Sequence, residues 1–209
     1  MISEKPNWQT PEAEAIINSL KETFLQEAWV ADQNLIIAPS LDRKIDPRIL
    51  EAAAQVVDLR FKGMGVNKVL GIPNLGLPFA TAVALTMPGV RLVPACKETE
   101  KPRAWLDNLS AERRTLALNV VSSIRFSLVE TDDRILLVDN VCAYGQTASE
   151  VIQTLNQQTE AEVVGLAVLM SKDFQGGLRR IEERFKIPTL GVIRIQEIGP
   201  NQEIILGQT

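Results

Sequence analysis

The residues best suited to chemistry lie in Arg134–Ala148, RILLVDNVCAYGQTA. The apolar run Leu136–Val138 ends in Asp139 and Asn140, and Ala143-Tyr144-Gly145-Gln146-Thr147 follows. In a parallel sheet, ligands bind beyond the carboxyl ends of the strands, so an acid placed there meets them and accepts hydrogen bonds from sugar hydroxyls. Gly145 lets the backbone bend and approach an anion closely. Thr147 sets a hydroxyl at a helix start, where backbone N–H groups and the helix dipole favour a phosphate. The pattern therefore suits a sugar phosphate, with hydroxyls on the acid and phosphate on the loop. It suits equally a strand, a tight turn and a capped helix with no ligand. Thr147 and Glu150 form the T-x-x-E capping box of any well-started helix, and one glycine is a weak signal.

Several chemistries are closed to this chain. It has no histidine, so serine–histidine and cysteine–histidine hydrolase mechanisms are excluded, along with the commonest metal ligand. Its two cysteines, Cys96 and Cys142, have no CxxC spacing, which argues against a zinc site or disulfide framework and fits a reducing cytoplasm. The net charge of −4 gives no reason to expect nucleic-acid binding, which usually needs a basic face; a local basic patch is compatible with it, but no nucleic-acid partner is expected. Neither GxGxxG nor GxxxxGK[ST] occurs, which disfavours an unrelated dinucleotide-binding or P-loop protein. The start, MISEKPNWQTPEAEA, is polar and acidic rather than a secretory signal. The uncharged stretch between Lys68 and Arg91 contains Pro73, Asn74, Pro78 and Pro88, so a buried strand, a turn and a buried helix are expected there instead of a membrane span.

The elements that must position Asp139 follow from apolar periodicity. Thr10-Pro11 opens a helix with an apolar stripe at Ala13, Ile16, Ile17, Leu20 and Phe24. Asn34–Ala38 reads as a short strand. Asp46-Pro47 caps a helix that runs through Phe61 and stops at Gly63 and Gly65. Lys68–Ile72 is a strand, Pro73–Gly76 a turn, Leu77–Met87 a helix apolar nearly all round, and Arg91–Ala95 the next strand. Residues 98–128 form a charged stretch ending in the alternating Ile124–Leu128, expected as an exposed hairpin strand in a flexible lid or hood. Strands at Arg134–Asp139, Val163–Met170 and Thr189–Ile195 alternate with helices from Thr147 and over Gly176–Lys186. Nearly continuous apolar strands alternating with helices predict an α/β fold with a mostly parallel sheet. With 45% hydrophobic residues the chain supports one sizeable core, hence a single domain over residues 1–209, with 1–33 as a helical extension.

LLVDNVCAYGQTA resembles the phosphoribosyl-diphosphate (PRPP) motif of type I phosphoribosyltransferases. SLDRKIDPRILEAAAQVV, KVLGIPNLGLPFATAVA, LVPACKE and LMSKDFQGGLRRIEERF fall in the order seen in the xanthine and adenine members, from about Leu35 to Ile198. The SKDFQGG and SLDRKIDP segments lean towards the xanthine type. The resemblance implies the type I phosphoribosyltransferase fold, a twisted sheet with helices on both faces and a small hood that excludes water. It implies transfer of a phosphoribosyl group from PRPP to a purine base, with release of pyrophosphate. Asp139 is then the catalytic residue, binding ribose hydroxyls and steadying positive charge on the ring. Asn140 binds a neighbouring hydroxyl, and Ala143, Tyr144, Gly145, Gln146 and Thr147 hold the 5′-phosphate. Asn74, Leu75, Gly76 and Lys97 meet pyrophosphate. Asp42, Lys172 and Phe174 contact the base, Phe174 by stacking and Lys172 at an exocyclic oxygen. Mg²⁺ arrives with PRPP, held mostly by ligand oxygens and water, with Asp139 the one candidate protein ligand. The family's habit is a homodimer.

The chain departs from the family pattern at specific positions. Where a second acid is usual stands Asn140, which hydrogen-bonds a hydroxyl but carries no charge. Pro73 stands where the pyrophosphate loop usually begins with a charged residue, and Leu75 where it has a small polar one. The hood has Ile124-Arg125-Phe126 in place of the usual aromatic-hydroxyl pattern. These departures leave a second reading open, in which the protein binds PRPP or a nucleoside monophosphate as a regulator without chemistry.

Overall fold

Five apolar runs become the parallel strands of one sheet in the computed structural model, which describes residues 7–32, 35–97, 109–115 and 120–209. The elements in order are α1 (Pro11–Glu27), β1 (Trp29–Asp32), β2 (Leu35–Ile37), α2 (Pro39–Asp42), α3 (Pro47–Phe61), β3 (Lys68–Gly71), α4 (Gly76–Thr86), β4 (Arg91–Pro94), β5 (Cys96–Lys97), β6 (Leu109–Thr115), β7 (Val120–Phe126), β8 (Arg134–Cys142), α5 (Gln146–Gln158), β9 (Glu162–Lys172), α6 (Gly177–Phe185), β10 (Thr189–Ile198) and β11 (Ile204–Leu206). A single 3-10 turn, Asp173–Gln175, separates β9 from α6. Strand order in the main sheet is β11-β10-β9-β8-β3-β4, parallel except for the antiparallel edge strand β11.

Side chains alternate across the sheet and divide the core in two. On β8, Leu136 and Val138 pack with α1, α3 and α4, while Ile135 and Leu137 pack with α5 and α6. Helices therefore cover both faces, as expected. From β3 the chain passes through α4 outward to β4; from β8 it passes through α5, on the other face, outward to β9. The gap between β3 and β8 is thus a topological switch point, where open α/β sheets bind their ligands.

Local sequence explains the helix limits. The Thr10 hydroxyl accepts the Ala13 N–H at 3.2 Å, and the Asp46 carboxylate accepts the Arg48 N–H at 2.9 Å, with proline at the first position in each helix. Gly63 follows α3 with φ +80°, a conformation that suits glycine. At the sheet end remote from the switch point, Lys68 is 5% exposed and ion-paired with Asp133. It also donates to the Leu128 carbonyl at 2.6 Å, and so fastens the chain leaving β7. A charge this buried is tolerable only with such partners.

The structure differs from the sequence reading in several places. β8 runs to Cys142 rather than stopping at Asp139, because Val141 and Cys142 continue the pairing with Met170 and Ser171 of β9. α4 is not buried all round: Phe79, Ala80 and Val83 face the core while Thr81 is exposed and Leu85 is 82% exposed. With two threonines as its only polar residues and no charge, the helix sequence hid which face turns inward. β7 ends at Phe126, and Ile124 and Phe126 are each only 1% exposed, so its apolar side closes the α5 face of the core. The expected hood comprises the antiparallel sheet β5-β7-β6; residues 98–108 and 116–119 lie outside the described residues. The short strand expected over Asn34–Ala38 is β2, Leu35–Ile37; its partner β1 and the edge strand β11 were not expected, being too short to show periodicity.

Candidate active site at the switch point

Asp139 stands where β8 outruns its neighbour. β3 pairs with β8 only as far as Gly71 opposite Val138, and the Ile72 N–H closes that ladder on the Val138 carbonyl at 2.9 Å. Beyond it the chain turns through Pro73–Leu75, with a cis Pro73–Asn74 bond, and enters α4 at Gly76. A Cβ on Gly76 would lie 2.8 Å from Asp139 Oδ1 and 3.0 Å from its Cα. Only glycine lets this turn come down on the carboxylate. Asp139 Oδ1 also accepts the Asn140 backbone N–H at 2.7 Å, which fixes the carboxylate's orientation.

The start of α5 corrects the expected capping box. The N-cap is Gly145, at φ +75°, and no side chain caps the helix. Thr147 lies one residue inside, and the first intrahelical bond is Ser149 N–H to the Gly145 carbonyl, 2.9 Å. The N–H groups of Gln146, Thr147 and Ala148 precede that bond, so the helix itself gives them no acceptor. A threonine cap would have occupied one of these donors; its absence leaves them to an anion. α4 also lacks a side-chain cap at its N-cap Leu75, although its Leu77 N–H donates to the Asn74 carbonyl at 3.3 Å. Two helix N-termini, each positive in character, therefore flank Asp139 at the switch point.

A third segment closes on the loop. Gly177, at the start of α6, approaches so closely that a Cβ there would lie 2.4 Å from the Ala143 carbonyl oxygen, 2.7 Å from Cys142 Sγ and 2.8 Å from the Gly145 nitrogen. Arg180 donates from Nη2 to the Tyr144 carbonyl at 3.1 Å and also to the Gln175 carbonyl, and its guanidinium lies 5.9 Å from the Tyr144 ring centroid. Burial pushes the Cys142 thiol up to about 12, with the Asp139 carboxylate adding to the shift. This sulfur is a packing group, not a nucleophile.

On the far side of the loop, Lys172 ends β9 half-buried, and desolvation lowers its pKa. Phe174 is 38% exposed on the 3-10 turn. Asp173 between them turns away, accepting the Ser171 hydroxyl at 2.7 Å and pairing with Arg194 at 2.6 Å. Asp173, Phe174, Gln175, Arg180 and Arg194 border a cavity of about 400 Å³.

Of the anticipated site residues, Asp139, Asn140 and Ala143–Thr147 form one continuous edge, and Gly76 joins it directly. Asn74 and Leu75 are exposed on the turn before it. Lys97 ends β5, paired in backbone with Ile124, and Asp42 ends α2; the side chains of both lie outside the described residues. Gly177 and Arg180 were missed. Their segment, GGLRRIEERF, reads only as a helix, and the paired glycine Gly176-Gly177 was the available sign of a close backbone approach.

A parallel α/β sheet with a carboxylate and two helix N-termini at its switch point is the class of architecture suited to phosphorylated sugars or nucleotides. The chain belongs to the phosphoribosyltransferase family: the phosphoribosyl transferase domain matches residues 43–187. It is 29% identical to the xanthine phosphoribosyltransferase of Heliobacterium modesticaldum over 188 residues, covering 88% of this chain and 97% of that one. With the xanthine phosphoribosyltransferase of Lactobacillus delbrueckii subsp. bulgaricus it shares 32% over 162 residues, 76% of this chain and 84% of that one. In fold it matches the adenine phosphoribosyltransferase of Rhodothermus marinus, with a TM-score of 0.69 at 22% identity over 85% of this chain and 99% of that one. It also matches the Trypanosoma brucei enzyme solved with AMP, pyrophosphate and ribose 5-phosphate, with a TM-score of 0.68 at 15% identity over 89% and 80% of the two chains. The resemblance of the sequence motifs to the xanthine and adenine members is borne out.

Proposed function

We propose that the protein transfers a phosphoribosyl group from PRPP to a purine base of the xanthine or adenine type, releasing pyrophosphate. The observation that carries this reading is the placement of Asp139 between two uncapped helix N-termini. PRPP has an anionic group at each end of a sugar. Its 5′-phosphate fits the N–H groups of Gln146, Thr147 and Ala148, with Ala143, Tyr144 and Gly145 shaping the loop. Its diphosphate fits the Asn74–Gly76 turn at the start of α4, with Lys97 following β4. The ribose then lies over Asp139 and Asn140. As the bond from C1 to the diphosphate oxygen breaks and the bond from C1 to the purine nitrogen forms, positive charge develops on the ring and the Asp139 carboxylate opposes it, while the purine N–H proton leaves with the diphosphate. Lys172 and Phe174 border the purine, and Asp42 completes the base contacts.

Mg²⁺ belongs to the same proposal. Among the described residues, the donors at the crevice are the Asp139 carboxylate and the Asn140 amide; the Cys142 thiol is buried and protonated. This hard-oxygen set fits a cation carried in on diphosphate and water better than a dedicated protein cage. When bound it would neutralise charge on the leaving diphosphate, with Asp139 as its protein contact.

A second reading, binding without turnover, is favoured by Asn140, which removes one negative charge beside the ring. Purified protein with Mg²⁺, PRPP and each of xanthine, adenine, guanine and hypoxanthine decides between them by pyrophosphate release. Release with any base supports transfer; calorimetric PRPP binding without release supports the regulator; no binding of PRPP or of a nucleoside monophosphate refutes both. A homodimer and a cytoplasmic location complete the proposal, the first testable by sedimentation. Among the described residues no helix is long and apolar enough to cross a membrane.

A further inference from the structure

We infer that Arg180 is a positioning residue that ties the phosphate loop to the turn beside the purine, so that the two halves of the substrate are held by one rigid unit. The inference rests on the proposed function. Its geometry is a single guanidinium with two acceptors from separate segments: the Tyr144 carbonyl in the phosphate loop and the Gln175 carbonyl in the 3-10 turn that carries Phe174. The planar fork of arginine spans both acceptors at once, which a lysine ammonium on its flexible stem does less well. The same guanidinium lies over the Tyr144 ring. Gly176, at φ +70°, gives it room: a Cβ there would lie 3.1 Å from Arg180 Nη1. Gly177 supplies the close contact beneath, its Cα packing under the Ala143 carbonyl and the Gly145 nitrogen.

The consequence is a coupling between ends of the ligand. A ligand that touches only the phosphate loop needs the loop's own shape, which Gly145, Gly177 and α5 already provide. A ligand that spans loop and turn needs the two at a fixed separation. Loss of Arg180 frees that separation, and the spanning ligand must then restore it from its own binding energy.

The test uses the full chain and three probes: ribose 5-phosphate, which meets the loop and Asp139 only, and xanthosine and adenosine 5′-monophosphates, which span both segments. Binding by the unaltered protein is measured first by calorimetry; failure to bind any probe refutes the proposed function and this inference with it. Given binding, Arg180→Ala is expected to weaken the bound nucleoside monophosphate about tenfold, the scale for losing hydrogen bonds to a charged donor, and ribose 5-phosphate by less than about threefold. Arg180→Lys is expected to fall between. Arg184→Ala removes the same charge from α6, where Arg184 donates to Gln153 and not to the loop, and is expected to change neither affinity. Equal losses for both kinds of probe in Arg180→Ala, no loss at all, or the same loss in Arg184→Ala would overturn the inference while leaving the proposed function standing.

Discussion

Gly177→Ala tests whether the phosphate loop owes its shape to α6. Two effects oppose each other. Alanine at a helical position gains about 0.8–1 kcal/mol over glycine in intrinsic propensity. Against this, the new Cβ would sit 2.4 Å from the Ala143 carbonyl oxygen, so that backbone atom must retreat by roughly 1 Å to reach ordinary contact near 3.4 Å. The neighbours at 2.7 and 2.8 Å, Cys142 Sγ and the Gly145 nitrogen, block the sideways escape. Overpacking of this kind costs about 1–3 kcal/mol, so the net change is a destabilisation of up to about 2 kcal/mol. At about 2–4 °C per kcal/mol for a chain of this size, Tm falls by up to roughly 8 °C. The sharper readout is ligand affinity, because the atoms displaced are those of the loop itself. Ribose 5-phosphate binding is expected to weaken about tenfold or more, since a shift near 1 Å misplaces the donors at the start of α5. Gly89→Ala is the control: Gly89 has φ +81° with open space around it, so alanine there strains the backbone by about 1–2 kcal/mol but leaves affinity unchanged. Undiminished ribose 5-phosphate binding by Gly177→Ala would refute the account of how the loop is held.

The other expectations concern the site and its surroundings. Asp139→Ala is expected to lower kcat/KM for pyrophosphate release by about a hundredfold or more, and full activity would remove Asp139 from the site. Asn140→Asp is expected to raise kcat roughly tenfold, equivalent to about 1.4 kcal/mol, if the missing charge limits turnover; an unchanged rate would show that it does not. Lys172→Met is expected to raise KM for the base about fivefold with KM for PRPP unchanged, and equal effects on both would place Lys172 elsewhere than against the purine. Cys142 carries a pH signature. Its thiol stays protonated in the folded chain up to about 12 while the unfolded thiol ionises near 9, so the unfolded state binds fewer protons between these values and stability falls as pH rises through that window. Urea titrations at pH 8 and 10 are expected to show a smaller fall in Cys142→Ala, and identical falls would contradict the burial. Near pH 8, an alkylating reagent is expected to label exposed Cys96 and spare Cys142 in the folded chain.

Periodicity alone located most of the framework, because burial on both sheet faces writes itself as continuous apolar strands and one-sided helices. The order of motifs around Asp139 carried the family. The missing histidines and the charge balance narrowed the chemistry before any fold was known. Other features are not local and so have no local sign. Thr147 and Glu150 have the spacing of a capping box, yet the helix starts two residues earlier on a left-handed Gly145, because α6 presses on the loop through Gly177. α4 has only Thr81 and Thr86 as polar residues, too few to mark its outer face, and packing against β8 and α3 decided that Leu85 faces solvent. Gly76 reads as a turn glycine; its role in bringing the turn down onto Asp139 exists only when β3 and β8 lie side by side. Arg180 shows the same division most clearly. In sequence it is one of several charges on an amphipathic helix. Its two carbonyl partners come from Tyr144, thirty-six positions away, and from Gln175, and only the tertiary fold brings the three together.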